Sequence, residues 1–236
     1  MNFMYDDIVS FYQQIFPLNQ AFLQFIPVYI KKNPTRMLDL GCGPGEYVNE
    51  FSKQGHLATG IDSSSQMIVW ARQHHQGSFY HLAFTEINRL KGHFDCMYCV
   101  GNSLSYLPYE STPVFLKDAF ALLNSDSSFI IQLVNWDRYR LSGSMEFPIQ
   151  HLTDGRTFHR SYEAHPGSTV LFKTEIQKDG QTLQAWADHL YPRYADSFSG
   201  EIAESGLTVS GMYGNFKMTP FEAASSPALI ITACKN

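Results

Sequence analysis

Met37-Leu38-Asp39-Leu40-Gly41-Cys42-Gly43-Pro44-Gly45-Glu46 is the stretch on which the fold turns. An apolar run ends on an acid, passes through alternate glycines and opens into a helical pattern. That sequence describes a strand, a tight turn and a helix N-terminus, where outward-facing N–H groups let a ligand come close. Glycine suits the turn because no Cβ stands in the ligand's way and a positive φ costs little. The charges then narrow the ligand. Asp39 lies just before the first glycine and Glu46 follows the last, so a pyrophosphate would meet like charges. The G-x-G-x-G spacing also brings the third glycine one residue earlier than the dinucleotide fingerprint requires. A ligand with a positive end and a nucleoside end fits this turn better than a nicotinamide dinucleotide.

The nucleoside end is suggested by Gly60-Ile61-Asp62-Ser63, at the end of a second short apolar strand, Leu57 to Ile61. Asp62 comes about 20 residues after the loop, where an acid accepts ribose hydroxyls. Together L-D-L-G-C-G-P-G and G-I-D-S-S resemble motifs I and II of the class I S-adenosylmethionine-dependent methyltransferases. The resemblance implies a Rossmann-like α/β fold, a mostly parallel seven-stranded sheet with helices on both faces. It implies S-adenosylmethionine as cofactor and S-adenosylhomocysteine as product. Asp39, Gly41, Cys42, Gly43 and Gly45 would surround the methionine end, with Asp62 and Ser63 at the ribose. A tyrosine of the N-terminal segment often closes such a site; Tyr12 is the candidate and Tyr5 the reserve. Where the family often has an acid on the adenine amino group, this chain has Ala83, leaving Phe84 to cover the adenine face. Cys99-Val100-Gly101-Asn102-Ser103-Leu104-Ser105-Tyr106 resembles the motif IV region, which places Val100, Gly101 and Asn102 at the methionine end. That stretch holds neither the N-P-P-Y or D-P-P-Y loop of nucleobase amino methylation nor a nucleophilic Pro-Cys pair.

From Arg36 to about Val134, strand and helix patterns alternate with short connections, which calls for a parallel sheet covered on both faces. Ligands then sit beyond the carboxyl ends of the strands. Ahead of this lie two helical segments within residues 3 to 31, interrupted near Pro17. After Val134 the pattern turns antiparallel: Arg156–His165 and Thr169–Lys178 read as strands, and Asp179-Gly180 is a hairpin signal leading into Gln181–Tyr191. The expected division is a helical cap over 1–34, a cofactor-binding domain over 35–136 and 195–236, and an inserted antiparallel β substrate lid over 137–194. Methyl transfer needs alignment and desolvation more than a base, so the catalytic residues stay open. Tyr106, Trp136, His159 and Tyr194 are the candidates, with His151, Tyr162 and His189 further possibilities and Arg160 and Arg193 as anchors for an acidic group.

Composition sets the remaining bounds. The 236 residues are 44% apolar and 17% charged, with a net charge of −5 and no basic block, which argues against a nucleic-acid partner. No apolar run reaches membrane-spanning length, and the acidic start Met1-Asn2-Phe3-Met4-Tyr5-Asp6-Asp7 is unlike a signal peptide; a cytoplasmic location is expected. Cys96 and Cys99 form C-x-x-C within an apolar strand pattern, so they face opposite sides and grip no metal. The expected partner is a small polar methyl acceptor, methylated at nitrogen or oxygen. A nicotinamide-dependent oxidoreductase and a non-catalytic nucleoside sensor of the same fold are the alternatives. The oligomeric state is left open.

Overall fold

The computed structural model describes residues 4–142, 147–165 and 167–235. Short helices open the chain: α1 (Met4–Ile8), α2 (Tyr12–Ile15) and α3 (Gln20–Phe25). Asn19 caps α3 by accepting the Ala21 N–H at 3.0 Å, and Pro27 lies in the 3-10 turn Ile26–Tyr29 that ends it. The first helical segment is more broken than its periodicity predicts, because Val9–Phe11 tightens into a 3-10 turn.

The alternating region follows as β1 (Arg36–Leu40), α4 (Glu46–Lys53), β2 (Leu57–Asp62), α5 (Ser65–His74), β3 (Ser78–His81), β4 (Phe94–Cys99), α6 (Thr112–Leu122) and β5 (Leu123–Val134). Then come α7 (Trp136–Ser142), β6 (Gln150–His151), β7 (Thr157–His165), β8 (Thr169–Lys178), β9 (Gln181–Leu190), α8 (Ala195–Glu204), β10 (Thr208–Tyr213) and β11 (Ala228–Lys235). A seven-stranded sheet has the order β10-β11-β5-β4-β1-β2-β3, and only β11 runs against its neighbours. One correction concerns β5. It begins at Leu123 rather than Ser128, since a register shift carries the pairing from Phe94↔Leu123 to Cys96↔Ser128. Asp126 in that shift has φ +60, a bulge that alternation cannot reveal.

Core residues cover both faces of the sheet. Cys96 packs with Phe22, Val48 and Phe51 on one side, and Cys99 with Leu104, Phe115 and Ile131 on the other. The carboxyl ends of β1, β2 and β4 share one edge, so Asp39, Asp62 and the Gly101–Tyr106 loop come together.

The second sheet, β6-β7-β8-β9, is antiparallel throughout. Its inner face buries Phe158, Val170, Phe172, Ile176 and Leu190 against Met4, Ile8, Phe11, Ile15 and Trp136. Trp186 Nε1 donates to Asp7 at 3.1 Å and Gln150 Nε2 to the Ile15 carbonyl at 2.7 Å, tying this sheet to the N-terminal helices. Arg193 fastens its far end. The guanidinium donates to the carbonyls of Leu104, Leu107 and Tyr191 and to Thr112 Oγ1, all within 2.7–2.9 Å. Its role is to staple β9 to the loop after β4, not to receive an acidic substrate. Among the described residues, no helix is long and apolar enough to cross a membrane.

Candidate active site

The turn after β1 is built around β2. The N–H groups of Gly41 and Cys42 both donate to the Ile61 carbonyl, at 2.9 and 2.8 Å. Asp62 then holds the turn from the other side, accepting from Gly43 N at 2.8 Å and from Ser64 N at 2.8 Å. The glycines do different things. At Gly41 (φ +78) an added Cβ would stand 2.8 Å from Ser103 Cβ, on the wall where the ligand would lie. At Gly45 (φ +92) it would strike the Phe79 ring at 2.6 Å, so this glycine serves the packing of the turn on β3.

Two adjoining cavities open at this edge. One, of about 390 Å³, is lined by Gly43, Asp62, Ser63, Phe84, Tyr5, Tyr106 and Asp188, among others. The second, of about 290 Å³, holds Asp39, Cys42, Glu46, Tyr47, Val100 and Gln132. Tyr12, Phe16, Gly41, Gly101 and Ser103 line both, so the pair forms one bent trough around the glycine turn. An open groove on the β2–β3 side carries Arg36, Arg72, Arg89 and Lys91. Its arginines are already engaged, with the carbonyls of His93 and Phe79 and with Glu86.

Electrostatics separate the halves of the trough. Asp39 is 1% exposed, and its Oδ2 has no hydrogen-bond partner among the described residues. Burial pushes its carboxyl well above the usual range, and Asp62 and Glu46 push the same way. The Tyr98 hydroxyl pulls the other way, but a buried carboxylate oxygen left without a partner suits a cation. Asp62 is raised too, by burial, against the pull of the Ser64 and Gly43 N–H groups. Burial also raises Tyr5, Tyr12 and Tyr106, which are therefore neutral phenols. The hydroxyls of Tyr5 and Tyr106 lie 3.0 Å apart and share a hydrogen bond.

The residues expected around a cofactor divide accordingly. Tyr12, Asp39, Gly41, Cys42, Gly43, Asp62, Ser63, Phe84, Val100 and Gly101 line the trough. Phe84 packs edge-on against Phe115, and Ala83 lies beside it on the cavity wall. Asn102 shapes the loop instead: at φ +67, its Oδ1 accepts from Val134 N at 2.9 Å and Ser105 Oγ at 2.8 Å. Of the catalytic candidates, Tyr106 reaches the trough, and so does His189 from the further possibilities. Trp136 is fully buried, its Nε1 donating to Ser105 Oγ at 3.2 Å. His159 bonds to Thr157 Oγ1 at 2.9 Å, and Tyr194 lies under the Arg140 guanidinium at 4.3 Å; neither lines the trough. Phe16, Ser103, Gln132 and Asp188 were missed. Asp188 left a trace in the sequence, as an acid in phase with Trp186 and Leu190 on a strand.

Residues 37–126 match the family profile described as a methyltransferase domain. Over that stretch the chain is a class I S-adenosylmethionine-dependent methyltransferase domain. A Geobacillus protein named as a methyltransferase is 35% identical over 98 residues, 39% of either chain. A glycine/sarcosine N-methyltransferase of Halorhodospira halochloris is 24% identical over 215 residues, covering 83% of this chain and 74% of that one. The CcbJ methyltransferase of Streptomyces caelestis superposes with a TM-score of 0.79 over 92% of this chain and 88% of that one; at 17% identity this is a likeness of fold. The chain spans between 39% and 50% of the length of the first curated relatives it matches. The cofactor of such methyltransferase domains is S-adenosylmethionine, and the trough fits it: the unpartnered Asp39 suits an amino acid's ammonium, and Gly41 leaves room against Ser103.

Proposed function

We propose that this protein transfers a methyl group from S-adenosylmethionine to a nitrogen or oxygen of a small polar molecule. The observation that carries the reading is the orphan carboxylate of Asp39 in the methionine half of the trough, with Asp62 in the nucleoside half. When bound, the cofactor supplies a methyl group already activated on a sulfonium, open to in-line displacement. The chain's part is to bind and orient. Asp39 would pair with the ammonium, Asp62 would accept the ribose hydroxyls while its other contacts hold the turn, and Phe84 would lie against the base. Tyr12 would close the bend where the cavities meet.

In the same reading, residues 1–34 form a cap, 35–136 and 195–236 bind the cofactor, and 137–194 form the substrate lid. Residues 1–3, 143–146, 166 and 236 lie outside those described. The inner face of the antiparallel sheet, stapled to the loop after β4, supports a roof over the trough. A roofed cavity of a few hundred Å³ suits a small acceptor and excludes a polymer.

Calorimetric titration with S-adenosylhomocysteine tests this, using wild type and Asp62→Asn, with NADH as the control ligand. Binding by wild type, weakened at least about tenfold in the variant by loss of charge-assisted hydrogen bonds and absent with NADH, is expected. Preference for NADH, or no binding of the homocysteine compound, would overturn the reading.

A further inference from the structure

The inner face of the roof is apolar except at a few positions. Register places Phe158 beside Ile176 and sets two rows across the sheet, Arg160–Thr174–Trp186 and Tyr162–Phe172–Asp188, with the β8 residue in the middle of each. A charge on such a face is costly unless something compensates it. Arg160 has a compensation: its guanidinium lies over the rings of Phe147 and Phe16, at 4.7 and 5.5 Å. The Asp188 carboxylate makes no hydrogen bond and no ion pair among the described residues, although the charge of the neighbouring His189 acts on it. Asp188 instead lines the larger of the two adjoining cavities, on the wall shared with Tyr5, Tyr12 and Tyr106.

The three rings form one cluster. Tyr5 meets Tyr106 edge-on at 5.8 Å and Tyr12 at 6.3 Å, and the Tyr5–Tyr106 hydrogen bond fixes the pair. A carboxylate beside neutral phenol rings offers a cation an ion pair and π faces together. An anionic acceptor would be repelled by Asp188 and by Asp62 on the same wall. A neutral hydroxyl would leave the Asp188 carboxylate desolvated with no bonded counter-ion, only the His189 ring alongside it. We propose that the methyl acceptor is an amine that enters as its ammonium ion and is held by Asp188 beside the Tyr5–Tyr106 pair. This rests on the methyl-transfer reading above and names its substrate class.

The chemistry balances without a further reactant. Asp188 takes one proton from the ammonium, which frees the nitrogen lone pair. That lone pair forms the new C–N bond to the donor methyl while the C–S pair returns to sulfur. The methylated nitrogen ends as a cation, and the proton on Asp188 passes to solvent. Burial raises the proton affinity of Asp188 toward this task.

The test uses protein saturated with S-adenosylhomocysteine, titrated calorimetrically with acceptors that differ in one group. Cyclohexylamine, cyclohexanol and cyclohexanecarboxylate form one series, and isopropylamine, isopropanol and isobutyrate a smaller one. In at least one series the amine should bind about tenfold or more tighter than the alcohol, as a charge-assisted contact demands, and the carboxylate weakest. Asp188→Asn, which keeps the shape, should bring the amine down to the alcohol's affinity and leave S-adenosylhomocysteine binding within about twofold. Alcohols or carboxylates that bind as well as their amines in both series, amines of both series that fail to bind the loaded protein, or a preference that survives in Asp188→Asn would each overturn the proposal. The matched series in wild type decides even if the variant does not fold. Failure of S-adenosylhomocysteine itself to bind would instead remove the methyl-transfer reading, and this proposal with it.

Discussion

Asp39 is buried with an unpartnered oxygen, and that has a measurable cost before any ligand arrives. Burial raises its folded carboxyl above the unfolded value, with Asp62 and Glu46 adding to the shift. An acid raised in this way contributes stability that is fully present below its unfolded pKa, about 3.9, and is lost as pH rises through the folded pKa. Asp39→Asn should therefore stabilise the ligand-free protein by about 1–2 kcal/mol at pH near 8 and hardly at all near pH 4, because the amide carries no charge to desolvate. Thermal unfolding at the two pH values measures this. The same variant should bind S-adenosylhomocysteine at least about tenfold more weakly, since the ammonium loses its counter-ion. A substitution that strengthens the fold and weakens the ligand marks a residue placed for binding.

At the level of elements, the loop after β4 and the end of β9 are held together by Arg193. Four acceptors converge on its guanidinium, and Tyr191 N donates to the Ser105 carbonyl at 2.7 Å alongside. Burial brings the guanidinium down to about 10. Arg193→Met keeps the volume and strands those acceptors, so it should cost about 2–4 kcal/mol in urea unfolding. Arg193→Lys should recover only part of that loss, because one ammonium cannot reproduce the fork. The sequence shows Arg193 as a cation near a predicted lid, and residue type alone does not separate a staple from a substrate anchor. The succession of strands and helices along the chain and the turn before α4 were legible because glycine, acid and apolar periodicity leave local marks. Asn102 and Trp136 were not. Their partners, Val134 for one and Ser105 for both, are spatial neighbours that tertiary packing selects.

Across the whole molecule, the trough has walls from three places: the glycine turn and strand ends, the N-terminal helices through Tyr5, Tyr12 and Phe16, and the roof through Asp188 and Tyr191. A ligand in it therefore stabilises elements far apart in sequence. At about 100 times its dissociation constant, S-adenosylhomocysteine should add about 2.7 kcal/mol, a rise in melting temperature of roughly 5–10 °C for a chain of this size. Hydrogen exchange should slow in α1, α2 and β9 as well as around the glycine turn. Protection confined to β1 and β2 would show that cap and roof stand apart from the ligand. The overall α/β plan was readable from patterning, whereas the meeting of cap and roof depends on contacts such as Trp186 with Asp7, 179 residues apart, which no local signal encodes.

The central sheet also determines what its sulfurs can do. Cys42, Cys96 and Cys99 are buried. Burial lifts all three thiols, Cys96 to about 12, so the reactive thiolate is scarce while the fold is closed. Cys96 and Cys99 reach opposite faces of one strand, so they cannot join in a disulfide without dismantling it. The folded protein thus withdraws these sulfurs from redox traffic. The speed at which an alkylating reagent consumes Cys96 and Cys99 is a direct reading of how often the sheet opens.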